Sequence, residues 1–328
     1  KKLPTVGPPN AAPPPSLNIT RPTVNVEINK TMPTVKMRCQ LINLLRDHSL
    51  SGPIIFADET TIQVLKEPDK PPDSQSQMWV QVGGTEEQRV ILFDYDASRS
   101  KSVPLRLFEG YEGHGLQTDG YAGYNAVCEQ EGLTQFGCWD HARRKLKDAK
   151  NAEPKGKKRS SQPTKADMGL SYVRKLYAVE KAIPEKSTPT QTVAYRQEHA
   201  TPILDQLRKW LDKTLVKTDP GGKTGMALKY IDNQWDKLTN YTECGHARIS
   251  NCLAENAIRP YVIGRKAWLF ADTPKGAHAS ATLYSLIETA KANGLEPYHY
   301  LHHVFKELPR AETVEQIEQL LPWHVDRE

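Results

Sequence analysis

Three acidic residues occupy positions where a carboxylate needs a reason. Ile54–Leu65 reads as a β-strand, and alternation puts Ile54, Phe56, Asp58, Thr60, Ile62 and Val64 on one face. Asp58 thus interrupts the more apolar face, a costly place unless the carboxylate meets a cation, a hydrogen-bond network or a metal ion. Glu59 falls on the more polar face and is expected to need no such partner. Asp119 ends another strand just before Gly120, where α/β proteins open their ligand crevices, although Asp-Gly is also a common turn pair. Asp94 and Asp96, at the end of a third strand, are rivals with the same geometry. Glu255 lies in a helix that Ser250 or Asn251 can cap, with Asn251, Glu255 and Arg259 spaced four apart on one face and Pro260 expected to end or kink it. Singly, Asp58 also reads as an acid paired with an arginine, and Glu255 as half of a surface ion pair. Together, three hard carboxylates on separated elements suit Mg²⁺ or Mn²⁺. Two such ions roughly 3.5–4 Å apart would clamp the attacking and leaving oxygens of an in-line phosphoryl displacement.

The cations point the same way. The 328 residues carry 44 Lys+Arg and 39 Asp+Glu, a net charge of +5. Yet residues 142–165 alone hold ten basic residues against two acids, a local +8 that leaves the remainder acidic. Such asymmetry suits contact with a polyanion, here a nucleic-acid backbone held through its phosphates. A solvated basic loop is the plainer alternative. Mean hydropathy is −0.62, and no apolar run approaches the roughly 18 residues of a membrane span. No secretory signal pattern opens the chain, so a soluble intracellular protein is expected. The five cysteines are odd in number and scattered without a CxxC pair, which argues against both a disulfide framework and a four-thiolate zinc site. Cys138 and His141 have ligand-like spacing, but no second pair follows them, so a zinc site is not expected. DPGGKTG at 219–225 lacks the first glycine of a phosphate loop, because Lys217 stands there, and reads as a turn.

These residues must be positioned by an α+β framework. Eight prolines in residues 1–35 predict an extended or disordered leader. A short helix over Met37–Arg46 precedes strands at Ile54–Leu65, Gln77–Val82 and Arg89–Tyr95. Then come a helix at Ser102–Phe108, a strand ending near Asp119, a helix after Gly123 and a strand near Thr134–Cys138. From His141 onward the spacing is helical, through Leu170, Val173 and Leu176, then Leu204, Leu207 and Leu211, then Ile231 and Trp235. Strands first and a helical block later predict a sheet core that carries an all-α insertion.

Five segments, ADETT at 57–61, TDGYAGYNAV at 118–127, GCWDHARRKL at 137–146, the run SNCLAENAIRPYVIGRKAW at 250–268 with its continuation to 297, and the ending YLHHVFKELP…LLPWHV, closely resemble the insertion-sequence-66 family of bacterial DDE transposases. The similarity runs in order from about Leu41 to Val325. It implies a ribonuclease-H-like mixed-sheet core in two parts, 37–141 and 246–296, interrupted by an α-helical insertion over 142–245 with its basic junction, and flanked by the leader at 1–36 and a C-terminal helical element at 297–328. It further implies that Asp58, Asp119 and Glu255 are the catalytic triad and hold two Mg²⁺ (or Mn²⁺) ions, with Asp94 and Asp96 left to supporting roles. The reaction would be hydrolysis of a phosphodiester at the element's end, followed by attack of the freed 3′-OH on target DNA. Arg143, Arg144, Lys145, Arg259, Arg265 and Lys266 match the basic positions of these motifs and are the candidates for DNA phosphate contact. His141 would line the site, assisting a proton transfer, touching the scissile phosphate or serving structure, with Asn251 beside it. The implied setting is a homo-oligomer on DNA, with accessory proteins of the element, in the bacterial cytoplasm at the nucleoid. Two departures stand out. Longer members of the family carry a helical segment, a cysteine-rich zinc-binding region and a DNA-binding region where this sequence has its proline-rich leader, and Asp140 stands where a small residue is usual. A truncated remnant that only binds DNA and a metal-dependent nuclease of the same fold are the rival readings.

Overall fold

The computed structural model describes residues 33–152 and 162–326, with side chains from Gln40 onward. Most of the leader and the basic residues Lys155, Lys157, Lys158 and Arg159 lie outside the described residues. The first helix, α1 (Pro33–Leu50), is longer than the expected Met37–Arg46 stretch and takes in the last residues assigned to the leader. Proline is well suited to a helix's first turn, where its missing N–H removes no internal hydrogen bond.

The strand carrying Asp58, β1 (Ile54–Val64), is the axis of a mixed six-stranded sheet. It runs antiparallel to β2 (Gln75–Gly84), which pairs antiparallel with β3 (Arg89–Asp96). Along its other edge, residues 54–56 pair in parallel with β4 (Gly115–Gln117), and β4 pairs in parallel with β5 (Thr134–Phe136). Gln63 and Val64 pair with the short β6 (Phe270–Ala271), so the path order is β3-β2-β1-β4-β5 with β6 beside β1. The link from β3 to β4 contains α2 (Ser102–Leu107), and that from β4 to β5 contains α3 (Asn125–Gln130).

The alternation inferred for β1 governs the packing. Ile54, Phe56, Ile62 and Val64 share a buried cluster with α4 (Trp139–Asn151) and α10 (Cys252–Trp268). Ile55 and Ala57 face the opposite way, into a cluster with Trp79, Val103, Leu107, Tyr124 and Val127. The helices between α4 and α10 are α5 (Lys165–Ala182), α6 (Pro189–His199), α7 (Thr201–Leu215), α8 (Lys223–Asn233) and α9 (Trp235–Thr239). Their Val173, Leu176, Leu204, Leu207, Leu211 and Ile231 belong to the same cluster as the first face of β1, so the helical block extends the core of the sheet. Reciprocal capping boxes at Thr164 and Thr188 start α5 and α6. The 219–222 stretch is a turn leading into α8, as its glycines suggest.

A third cluster joins α1 and β3 to α11 (Pro274–Ala292), α12 (Pro297–Glu307) and α13 (Val314–Glu318). It also solves the problem of the sheet's edge. Strand β3 has a free side whose N–H and C=O groups would template another chain. Thr289 Oγ1 accepts from Ile91 N (3.0 Å) and donates to Ile91 O (2.9 Å). Ser285 Oγ accepts from Phe93 N (2.8 Å), and Asn293 Nδ2 donates to Arg89 O (2.7 Å). Four helical residues advance about 6 Å and two strand residues about 6.7 Å, so a stripe at every fourth helix position stays in step with alternate strand residues. Replacing Thr289 with Val keeps the volume and removes both bonds inside a buried interface. We expect Thr289→Val to lower unfolding free energy by at least about 2 kcal/mol in urea denaturation; a change below about 0.5 kcal/mol would mean that the hydroxyl stripe does not hold the edge.

Candidate active site

Two buried side-chain amides hold together the segments that carry the three acids. Gln117, the last residue of β4 and two before Asp119, donates through Nε2 to Gly137 O (3.0 Å) and Arg248 O (2.5 Å), and its Oε1 accepts from Arg248 N (2.8 Å). Asn251, fully buried before α10, donates through Nδ2 to Ala57 O (2.8 Å), next to Asp58. The cap expected from Asn251 is not made. Its side chain turns away from the helix and bonds β1 instead, while its backbone N–H donates to Cys138 Sγ (3.2 Å). Trp139 completes the junction, donating through Nε1 to Leu238 O (2.7 Å) and through its backbone to Ile249 O (3.0 Å).

Within this frame Asp58 is a largely buried carboxylate among like charges. Burial is the main cause that pushes its pKa up to about 7, and the charges of Glu59, Asp119 and Glu255 add to it; the Glu59 N–H, 2.9 Å from Oδ1, works the other way. Asp58, Asp119 and Glu255 thus lie within electrostatic reach around Asp58. Asp119 sits just beyond β4, its Oδ1 accepting from Tyr121 N (2.8 Å) and its backbone carbonyl from Tyr230 OH (3.0 Å). The adjacent Gly120 adopts φ +93°, a left-handed conformation that favours glycine, which lets the chain turn sharply after the acid.

The arginine partner considered for Asp58 belongs to Glu59. Glu59 is not a surface acid: its side chain is 3% exposed, Arg99 Nε donates to Oε1 (2.9 Å) and Tyr124 OH donates to Oε2 (2.9 Å). Its face of β1 looked polar because Ile55 and Ala57 are followed by Thr61 and Gln63, but helices α2 and α3 cover its first half.

Glu255 projects from the first turn of α10 toward the start of α4. Cys138 Sγ lies 3.7 Å and His141 Nδ1 3.4 Å from its Oε1, the latter an ion-pair distance without hydrogen-bond geometry. Arg144 Nη2 lies 3.6 Å from its Oε2. Burial pushes the Cys138 thiol up to about 12, despite the backbone N–H groups of Asn251, His141 and Asp140 around it. Pro260 does not end α10. The helix continues to Trp268 because Ala257, Ile258 and Tyr261 are buried on both sides of the proline, and burial offsets the missing hydrogen bond.

The predicted cations divide into two groups. Arg143, Arg144 and Lys145 are exposed along α4, with Arg143 over the Tyr177 ring and Lys145 over that of Tyr230. Arg259 and Lys266 are exposed on α10. Arg265 is instead bound to β1, its Nη1 donating to Thr60 Oγ1 (3.0 Å) and to the Thr61 carbonyl. Asp140 sits in the first turn of α4, where a negative charge suits the helix dipole, 3.5 Å from Arg143 Nη1. Asp94 is held by Arg46 (3.0 Å) and Gln81 (3.1 Å), and Asp96 by Arg106 (3.0 Å), so both rivals of Asp119 have cationic partners. Among the described residues neither Asp58 nor Asp119 makes an ion pair. Sequence reasoning missed the cluster of Cys138, His141 and Glu255, whose donor atoms all lie within 4.8 Å of one another. The Cys-x-x-His spacing was its visible half.

The donor chemistry fits divalent cations: oxygen ligands, like charges in mutual repulsion, and backbone amides where a cation would otherwise be expected. No helix among the described residues is long and apolar enough to cross a membrane. No solved structure matches the chain. Among curated proteins it is 27% identical over 300 residues to the uncharacterized protein y4qI of Sinorhizobium fredii (strain NBRC 101917 / NGR234), covering 86% of this chain and 53% of that one. It is likewise 27% identical over 304 residues to the uncharacterized protein y4hP of the same strain, covering 88% and 53%. The chain therefore spans about half the length of the curated relatives it matches. The model of the IS66 C-terminal element matches residues 285–323, which include the end of α11, α12 and α13. The model of the transposase IS66 family matches residues 16–279, from before the first described helix through the whole sheet, the helical block and α10, and the chain belongs to that family.

Proposed function

We propose that this chain carries the catalytic core of a DDE transposase, in which Asp58, Asp119 and Glu255 hold two Mg²⁺ or Mn²⁺ ions. The observation that carries this reading is the burial of Asp58 among the charges of Glu59, Asp119 and Glu255, with a backbone amide rather than a cation as its partner. A fold keeps such repulsion where a bound ion or substrate relieves it. The ions would supply Lewis-acid stabilisation of charge developing on the phosphoryl oxygens. The residues of the chain do the rest. The three carboxylates fix the ions, Asn251 and Gln117 fix the carboxylates, and the cations of α4 and α10 hold DNA phosphates. His141, beside Glu255, is placed to accept or return a proton. Strand order 3-2-1-4-5 with the second strand antiparallel supports a ribonuclease-H-like core. The reaction is cleavage at the element's end and transfer of the freed 3′-OH to a target phosphodiester. The DNA partners are element ends and target, bound by a homo-oligomer at the bacterial nucleoid with any accessory proteins of the element.

Incubating the chain with Mg²⁺ and duplexes bearing the element's ends tests this directly. Joined products are expected on a denaturing gel, and Asp58→Asn, Asp119→Asn or Glu255→Gln should each reduce them more than about 10²-fold, the order lost when one preorganised charge-stabilising group is removed. Nicking without joining would identify a nuclease of this fold, and binding alone a remnant without chemistry. In a salt titration of DNA binding, Arg143→Ala and Lys145→Ala should each lower the slope of log K against log salt by about one.

The repulsion itself has a pH signature. Asp58 has its pKa raised in the folded chain, so the metal-free fold is favoured while this carboxyl is protonated. That advantage is complete below the unfolded value, near 3.8, and is lost as pH rises through about 7. Asp58→Asn should therefore stabilise the metal-free protein at pH 8 by on the order of 2–4 kcal/mol, with the gain vanishing near pH 4. Thermal melts in a chelating buffer at the two pH values measure it, and equal melting temperatures at pH 8 would contradict it. Mn²⁺ should raise the melting temperature of the unsubstituted chain and leave that of Asp58→Asn nearly unmoved.

A further inference from the structure

Glu255 is the acid of the proposed triad, yet its carboxylate is also shared with a second set of donors. Its Oε1 lies 3.7 Å from Cys138 Sγ and 3.4 Å from His141 Nδ1, while Oε2 lies toward Arg144. The three donor atoms fall within 4.8 Å of one another, although Cys138 and Glu255 are 117 residues apart. A tetrahedral Zn²⁺ holds sulfur at about 2.3 Å and nitrogen or oxygen at about 2.0–2.2 Å, which separates neighbouring ligand atoms by about 3.3–3.7 Å. Two of the observed spacings already match, and closing the third requires a shift within one side chain's reach.

Three further features make this a built cluster. Cys138 immediately precedes α4 as its cap residue, its side chain has no exposure, and the Asn251 backbone amide points at its sulfur. This N–H and those of His141 and Asp140 are aimed at the sulfur, as at a helix N-terminus, and oppose the burial that holds the thiol protonated in the absence of a cation. His141 Nδ1 is buried without a hydrogen-bond partner, so its lone pair or proton faces the cluster with nothing to satisfy it. The side chains of His141 and Glu255 are each 23% exposed, which leaves an approach from solvent on that side and none through Cys138.

We propose that Cys138, His141 and Glu255 form a cation site for a soft divalent metal, of which Zn²⁺ is the natural occupant, distinct from the hard-ion site at Asp58 and Asp119. Thiolate and imidazole select Zn²⁺ over Mg²⁺, whereas the aspartates have the opposite preference. On binding, the Cys138 S–H bond breaks, its proton passes to water, and a sulfur–metal bond forms without change of oxidation state. Because Glu255 serves both sites, Zn²⁺ withdraws it from the triad and inhibits. This consequence rests on the proposed DDE chemistry; the site itself does not.

Titration of the full chain with Co²⁺, a spectroscopic stand-in for Zn²⁺, separates the two claims. The expected result is a thiolate-to-metal charge-transfer absorption, competed away by Zn²⁺ and not by Mg²⁺. The band should be absent in Cys138→Ser and require at least about 10-fold more Co²⁺ in His141→Ala. It should be retained in Asp58→Asn, which disables only the hard-ion site. A missing band in the unsubstituted chain, or one that persists in Cys138→Ser through another cysteine, overturns the proposal. Should Cys138→Ser lose its far-ultraviolet circular dichroism, the His141→Ala titration decides, because that side chain is partly exposed and not part of the hydrophobic core; an unchanged Co²⁺ affinity there overturns the site. Loss of DNA joining with the band intact would count against the DDE reading alone. Relief of Zn²⁺ inhibition of DNA joining in Cys138→Ser, which leaves the proposed triad and His141 in place, supports the competition, and inhibition unchanged in that variant overturns it.

Discussion

Asn251 and Gln117 impose the constraint on which the site depends. Each is a buried amide whose bonds join segments distant in sequence: Asn251 ties the start of α10 to β1 across 194 residues, and Gln117 ties the end of β4 to Arg248 across 131. A buried amide without partners costs about 1–3 kcal/mol per group, so each has a narrow choice of positions. The bonds they make bring the residues after Ala57, after Gln117 and after Asn251 to one place. Asp58, Asp119 and Glu255 are those residues or follow within one turn. The carboxylates repel one another and cannot assemble the site themselves, so neutral hydrogen bonds assemble it against their repulsion.

Adjacent acids on β1 show how differently a fold can treat the same chemistry. Glu59 is buried and then neutralised, by the Arg99 guanidinium and by the hydroxyl of the fully buried Tyr124. Asp58, on the other face, is buried and left with like charges for company. Between these two neighbours burial does not make the distinction; the cation beside Glu59, absent beside Asp58, does. The same comparison sets Asp94 and Asp96, each with an arginine, apart from Asp119.

What was legible in the sequence was local. Alternation over Ile54–Leu65 is a property of consecutive residues, and it gave both the strand and the face of Asp58. Helical spacing gave the elements after His141 for the same reason, and the glycines of 219–225 gave a turn. The features that escaped all depend on partners far along the chain. Glu59 is buried by Arg99 and Tyr124, 40 and 65 residues away. Ser285, Thr289 and Asn293 look like ordinary polar positions in a helix until β3 is laid beside them, although a polar residue at every fourth place in an apolar helix was a readable hint. Pro260 argued for a break and was outweighed by burial on both sides. Asn251 had the right type for a cap and found a better acceptor in the sheet.

The helical block then acquires a role beyond separating two parts of a sheet. Helix α4 leaves the site as an arm of positive charge, and a free arm would scatter its cations in solution. Helices α5 and α8 pack against it, and each contributes a tyrosine under a cation: Tyr177 beneath Arg143 and Tyr230 beneath Lys145. A cation over an aromatic face gains about 0.5–1 kcal/mol where exposed, enough to bias a long side chain without removing its charge from solvent. Tyr230 does a second thing, for its hydroxyl donates to the carbonyl of Asp119. One side chain of the block thus steadies both a phosphate-seeking cation and the backbone of the second acid. Moving α8 relative to the sheet would disturb the two together, so the register between charge that would hold DNA and charge that would hold metal is built into a single helix.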